Sequence, residues 1–365
     1  MLYEMAAQSL KLPLSPLAIA QRMEAEYGVG SINSLNQVNS GSEGLVFFAD
    51  CDFGGATVVK IYDNGHNTDS RVESEARLYA YLNEVGRIGD FGAPHTILTQ
   101  NGQMSASLDT DFGHRRMLLM ERTQGQFLAN ATISGRNMHR VGAALANMHG
   151  ALSDYAQGPD DLVPTIEPAW YRNWGAKRLA RSFIGKPSSH DLAYGEFGFF
   201  PALMRSPNAA VLSDAQQEEM KTIDPLIAAL LKDSPLPERA DLTLIHNDLK
   251  PEHVSLSNDR VYFIDWGGRT LGPVTQDLGI FLLHLWSDSD MTIEQWHNLR
   301  NSLLEGYSSA HHLEEYELAS VRVYIIDRAV GLIQRYSEIS MQTGHEVGVE
   351  KIVRTLELMK RLLDE

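Results

Sequence analysis

The stretch Ile245-His246-Asn247-Asp248-Leu249-Lys250-Pro251-Glu252-His253 packs two carboxylates, an amine and two imidazoles into one short segment. A further carboxylate follows in Ile264-Asp265-Trp266-Gly267. Between them, Arg260–Ile264 is an apolar run suited to a buried strand, and Asn258-Asp259 supplies the turn before it. The pattern predicts a loop carrying one acid, a hairpin, and a second acid returned beside the first. Phosphoryl transfer from a nucleotide asks for this set. Asp248 would orient or accept the proton of an attacking hydroxyl, and Asp265 would hold Mg²⁺ on the phosphates. Lys250 would offset charge on the group in transit.

Other elements must position these groups. Ser40, Gly41, Ser42 and Gly44 form a Gly/Ser-rich turn before an apolar run. Such a turn lets backbone N–H groups approach phosphate oxygens, and it also serves as a plain hairpin turn. Ala56–Tyr62 reads as a strand carrying one lysine, Lys60. Asp69–Val85 reads as a helix capped by Asp69 or Ser70. Glu75 shares a face with Tyr79 and Leu82 on that helix, and Glu73 is the alternative acid. Strands are expected at Thr96–Gln100 and Arg116–Met120, with Asn101-Gly102 as a turn. Helices are expected near Pro16–Glu26, over Gly135–Gly150 and over Ser213–Lys232. Residues 151–212 are irregular, with helical pieces near Trp170–Phe183 and an aromatic cluster at Tyr194–Phe200.

The H-x-D-L-K-P-E loop followed by I-D-W-G resembles the catalytic and metal loops of the protein-kinase-like fold. Gly272-Pro273 through Asp277-Leu278-Gly279 is similar to the matching tail in the aminoglycoside phosphotransferase and choline kinase group. The resemblance implies an α+β, two-lobed protein-kinase-like fold. An N-lobe antiparallel sheet plus helix would span 31–122, after a helical extension at 1–30. A mainly helical C-lobe would span 123–365. The resemblance also implies that Lys60 holds the nucleotide phosphates and pairs with Glu75 or Glu73. Adenine would meet the backbone of Glu121 and Thr123 at a hinge. His149 would be structural, and Asp277 would accept hydrogen bonds from the catalytic-loop backbone. Three or four helices after Asp277 would line an acceptor site, where His284, Asp288, Asp290, His311 and Glu315 are polar candidates.

His253 departs from the family pattern, which places asparagine there as the second metal ligand. Imidazole is a softer donor than Mg²⁺ prefers. His253 would then ligate a metal such as Mn²⁺, leave the second metal site weak, or mark a nucleotide-binding protein that transfers poorly. The reading adopted is altered metal use, through His253 and Asp265, with activity retained.

The 365-residue chain carries a formal net charge of −16. That excludes a general nucleic-acid binder and is compatible with a cationic substrate. The lone Cys51 suits a reducing cytoplasm. The first residues lack the features of a signal peptide, and no apolar run reaches membrane-spanning length. No A-P-E follows Asp265, so a small hydroxylated acceptor is expected rather than a protein. Asn247 resembles the choline and ethanolamine kinases at that position. The expected activity is O-phosphorylation of a small molecule with ATP or GTP. The alternatives are a choline-type or other metabolite kinase, and a weakly active pseudokinase.

Overall fold

The computed structural model describes residues 15–41, 44–62, 69–87, 89–110, 113–130, 133–155, 203–204, 207–233, 242–343 and 346–365. In chain order these form α1 (Pro16–Tyr27), β1 (Ile32–Gly41), β2 (Gly44–Cys51), β3 (Gly55–Tyr62) and α2 (Asp69–Val85). Then come β4 (Phe91–Gly92), β5 (Thr96–Ile97), β6 (Ala106–Thr110), β7 (Gly113–Glu121), β8 (Gln126–Phe127) and α3 (Gly135–Ser153). After these lie α4 (Asp214–Asp233), β9 (Thr243–Ile245), β10 (Val254–Leu256), β11 (Val261–Phe263) and β12 (Thr270–Gly272). The chain closes with α5 (Val274–Ser287), α6 (Ile293–Ala310), α7 (Glu315–Thr343) and α8 (Glu346–Asp364).

Two compact units result. One comprises Met1–Ala131, Asp154–Leu162 and His253–Gly267, and the other comprises Thr132–Ser153, Val163–Glu252 and Gly268–Glu365. By its contacts the hairpin β10–β11 belongs with the first unit, although the chain on either side of it belongs to the second.

The first unit is built on a six-stranded antiparallel sheet in the order β1-β2-β3-β7-β5, with β6 also on β7. Alternation along the strands sorts its side chains. Val59 and Ile61 of β3 and Met117 and Leu119 of β7 point into one core with Ile19, Met23 and Tyr27 of α1. Lys60 lies between Val59 and Ile61 in sequence, so it projects from the opposite face. Helix α1 is fixed to this sheet: the Tyr27 hydroxyl donates to Met117 O at 2.5 Å and accepts from Ala106 N at 3.1 Å. A second sheet, β4-β11-β10-β8, carries the segment leading to Asp265.

The second unit is helical, with the small β9–β12 ribbon leading into the segment that begins at His246. Helices α3 and α6 approach so closely that only glycine fits at two places. A Cβ on Gly142 would lie 2.0 Å from Leu303 O, and one on Gly306 would lie 2.0 Å from His139 O. Helix α5 is buried from Thr275 to Ser287.

The helices expected near Pro16–Glu26, Asp69–Val85, Gly135–Gly150 and Ser213–Lys232 are present with ends within three residues, and among the described residues four helices run from Val274 onward. The strand expected over Thr96–Gln100 covers only Thr96–Ile97, because the chain folds back through Gly102 N to Thr99 O at 2.8 Å. Strand β6 was not expected; only Ala106 and Leu108 mark its buried face, too short an alternation to stand out. Trp170–Phe183 and Tyr194–Phe200 lie outside the described residues.

Candidate active site

In the sheet unit, three distant parts of the chain meet at Lys60. Its Nζ lies 2.8 Å from Asp265 Oδ1 and 3.4 Å from Glu75 Oε1. Lys60 and Glu75 are buried, and the Asp265 side chain is 43% exposed. Glu75 also accepts from the Tyr79 hydroxyl at 2.8 Å, one helical turn along α2. Burial, and then the Glu75 charge, push the Tyr79 phenol well above its usual range, so it remains a donor. Glu73 is not the lysine's partner; it takes Arg116 at 2.9 Å.

Asp265 has a left-handed backbone, with φ of 63°. Among the described residues, only Asn247 shares that feature outside glycine, also at 63°. The two flank the sequence expected to do chemistry. Asn and Asp tolerate this conformation better than other residues because their short side chains bond locally. The backbone of Gly267, two residues beyond Asp265, accepts from the Arg71 guanidinium of α2.

The remaining nucleotide-side candidates are placed as follows. Ser40 and Gly41 end β1, and Gly44 opens β2; Ser42 lies outside the described residues. A Cβ on Gly44 would lie 2.0 Å from Ile61 O, so the turn beside β3 requires glycine. Glu121 ends β7, and its N–H already donates to His95 O at 2.8 Å. Thr123 follows two residues on, before β8.

His253 Nε2 lies 3.6 Å from Asp265 Oδ2. Among the described residues, no group of three His, Cys, Asp or Glu side chains converges as a metal cage. Mg²⁺ needs no such cage: it keeps several waters and takes one or two carboxylates plus phosphate oxygens. The half-exposed Asp265 carboxylate fits that demand, and the His253 nitrogen fits it less well.

In the helical unit, the catalytic segment is pinned from below by Asp277, which is fully buried. Its Oδ2 accepts from His246 N at 2.7 Å and its Oδ1 from Asn247 N at 2.6 Å. His149 Nε2 stands 3.1 Å from Oδ2, and its Nδ1 stands 2.9 Å from the Tyr307 hydroxyl. Burial, and then the Asp277 charge, hold that phenol far above its usual range. Asp277 and His149 thus take the structural places expected for them. Asn247 is clamped as well, donating to Gly268 O at 3.0 Å and accepting from Gln276 Nε2 at 2.6 Å. Its side chain is occupied in bracing the loop.

Asp248 comes next and presents its carboxylate to two cations. Lys250 Nζ lies 2.9 Å from Oδ2, and Arg328 NH2 of α7 lies 2.5 Å from Oδ1. Sequence reasoning missed Arg328, because nothing in α7 advertises a partner eighty positions earlier. Of the acceptor-side candidates, His284 and Asp288 pair on α5 at 3.2 Å, and Asp288 also takes Lys351 of α8. Burial acts to raise the Asp288 carboxyl, but its bonds to His284 and Lys351 outweigh it and hold the group well below its usual range. Burial pushes His284 down, and the Lys250 and Arg328 charges add to that.

The profile of the phosphotransferase enzyme family matches residues 34–319. The chain belongs to the phosphotransferase enzyme family. Its fold is the protein-kinase-like fold of that family's solved structures. An amicoumacin kinase, solved with AMP-PNP, Ca²⁺ and amicoumacin, superposes with a TM-score of 0.69 at 15% identity, over 98% of this chain and 96% of that one. A microcompartment-associated aminopropanol kinase gives 0.69 at 16% identity, over 95% and 98%. A spectinomycin phosphotransferase, solved with ADP and spectinomycin, gives 0.59 at 15% identity, over 96% and 97%. A probable serine/threonine-protein kinase BUD32 homolog of Archaeoglobus fulgidus is 31% identical over 72 residues, which span 20% of this chain and 37% of that relative.

Proposed function

We propose that this phosphotransferase moves the γ-phosphoryl group of ATP or GTP to a hydroxyl of a small molecule. The observation that carries the reading is Lys60, buried and held between Glu75 and Asp265. A buried lysine needs paired charges to stay ionised, and here one partner is fixed inside the unit while the other is half-exposed. Such a lysine is held ready to meet phosphate oxygens.

The roles follow from the groups. Lys60 and the β1–β2 turn at Ser40, Gly41 and Gly44 hold nucleotide phosphates. The adenine contact at Glu121 falls to its carbonyl, since its N–H is engaged with His95, and the Thr123 backbone completes that edge. Asp265 would hold a divalent cation, Mg²⁺ or Mn²⁺, with His253 as a weaker neighbour. When bound, that ion neutralises charge on the phosphates. Asp248 orients the acceptor hydroxyl. With Lys250 and Arg328 on its two oxygens, Asp248 is held in place to orient that hydroxyl. That suffices, because a loose phosphoryl-transfer transition state demands positioning more than early proton removal. Lys250 offsets charge on the moving phosphoryl.

No described helix is long and apolar enough to cross a membrane. The single cysteine, Cys51, is buried, and burial pushes its thiol up, out of the reactive range. A buried, unreactive thiol suits a reducing cytoplasm.

The test is steady ADP release with Mg²⁺ or Mn²⁺ across a panel of hydroxylated small molecules. Turnover that disappears in Asp248→Asn supports the proposal. Tight nucleotide binding without turnover on any acceptor would instead favour the pseudokinase reading, which His253 motivates.

A further inference from the structure

The acceptor's own chemistry is written into Arg328. This inference rests on the proposed kinase function and deepens it. Arg328 projects from α7, and its NH2 meets Asp248 Oδ1 at 2.5 Å. The side chain is 32% exposed, yet its Nε is buried and has no hydrogen-bond partner among the described residues. A guanidinium carries five N–H donors in a rigid planar fork suited to carboxylate and phosphate oxygens. Asp248 engages that fork through one nitrogen. Among the described residues the buried Nε–H has no acceptor, so NH2 is the nitrogen that ties the fork to the protein.

The oxygen that Arg328 touches is also informative. Lys250 takes Oδ2 of Asp248, and Arg328 takes Oδ1. Any hydroxyl oriented by Asp248 must therefore approach beside one of two fixed cations. Lys250 is also near Glu252 at 3.9 Å, but that carboxylate is 56% exposed and screened by water. Arg328 has no second carboxylate partner among its described ion pairs. A further group reports the same field. His284 on α5 is 3% exposed, its Nδ1 faces Asp288, and its Nε2 has no partner among the described residues. The Lys250 and Arg328 charges both act on this imidazole to keep it neutral. With Asp288 ionised, Nδ1 carries the proton and Nε2 is left as a buried acceptor.

We propose that Arg328 recognises an oxyanion on the acceptor, a carboxylate or a phosphate close to the hydroxyl that Asp248 orients, so that the substrate is a small hydroxylated acid rather than a cationic amine. The NH2 group keeps Asp248 in place while the solvent-facing remainder of the fork meets the ligand's oxygens. The −16 charge of the whole chain does not oppose this. Net charge governs long-range approach, and a salt-screened field extends only about 8–10 Å. The groups at Asp248 decide what docks.

The experiment compares two arms of acceptor with ATP and Mg²⁺ or Mn²⁺, reading ADP release. The anionic arm holds glycerate, 3-hydroxybutyrate and glycerol 3-phosphate; the cationic arm holds 1-amino-2-propanol, choline and spectinomycin. The wild-type protein is expected to turn over the anionic arm with the higher kcat/KM, and glycerate against glycerol 3-phosphate separates carboxylate from phosphate. In Arg328→Gln the ratio of anionic to cationic kcat/KM should fall roughly 10–100-fold, the range for losing a charge-assisted hydrogen bond. The fall should lie mainly in KM for the anionic acceptor. Taking a ratio removes any shared effect through Asp248, and Arg328→Lys should restore part of it. Unfolding temperature checks that both variants fold. Preferential turnover of the cationic arm, or an unchanged ratio in Arg328→Gln, overturns the inference and leaves the kinase function standing. No ADP from either arm, with nucleotide still bound, overturns the kinase function and the inference with it.

Discussion

Replacing Asp277 by asparagine tests whether the catalytic loop is held by one buried charge. Asp277 accepts from His246 N–H and Asn247 N–H at 2.7 and 2.6 Å, with His149 also on it at 3.1 Å. Asparagine fits the same space but keeps one acceptor oxygen. Its amide N–H₂ would face a backbone N–H, so one charge-assisted bond is lost and one buried donor is orphaned. Each is worth about 1.5–3 kcal/mol for a bond to a charged group and 1–3 kcal/mol for the orphan. Partial relaxation by a His149 tautomer change brings the expected total to about 2–4 kcal/mol. At roughly 2–3 °C per kcal/mol for a unit of this size, thermal unfolding should fall by about 5–10 °C. Asn247 sits at a φ of 63°, a conformation held by these bonds. Once they loosen, Asp248 beside it loses its fixed direction. A displacement near 1 Å costs on the order of 10²-fold in rate, so kcat should fall about 10–100-fold. KM for ATP should change little, because Lys60, Glu75 and Asp265 are bonded independently of Asp277. Scanning calorimetry and coupled ADP release read the two effects. An Asp277→Asn protein with wild-type unfolding temperature and kcat would refute the pinning argument.

Three further outcomes are expected. Glu75→Gln removes the fully buried partner of Lys60 while sparing the Tyr79 contact, so KM for ATP should rise about 10-fold with a smaller change in kcat; an unchanged KM counts against Lys60 as a phosphate ligand. His253→Asn supplies a hard oxygen near Asp265, and a Mn²⁺ over Mg²⁺ preference should shrink; metal titrations of activity read this, and an unchanged preference removes His253 from the metal site. Acid should destabilise the protein through His284. Its folded pKa lies below the usual 6.5, so the unfolded chain binds the proton first. Stability is then full above pH 6.5 and falls as pH drops below it, by at most ~1.4 kcal/mol per pH unit for this one group. Chemical denaturation between pH 7.5 and 5 should show that slope in the wild type and a flatter one in His284→Phe; equal slopes would assign the loss to other groups.

The sequence by itself determined the family and offered the candidate residues for its chemistry. The H-N-D-L-K-P-E-H and I-D-W-G stretches are local patterns in which type and spacing are readable without coordinates. The period of α2 was enough to choose Glu75 over Glu73, since Tyr79 and Leu82 continue only the Glu75 face. Strand alternation around Lys60 was readable in the same way. Partners chosen by packing rather than by period were not legible. Arg328 is one arginine inside a long helix, and its bond to Asp248 spans eighty positions. Strand β6 alternates only two apolar residues, Ala106 and Leu108, and β7 beside it supplies the pairing that makes it a strand. Gly142 and Gly306 lie inside helices, and only the meeting of α3 with α6 explains them. Side-chain periodicity is set within a few residues, whereas ion pairs and close helix crossings are fixed by long-range folding. The chain therefore announced its family, and the tertiary structure decided that Arg328 stands beside Asp248.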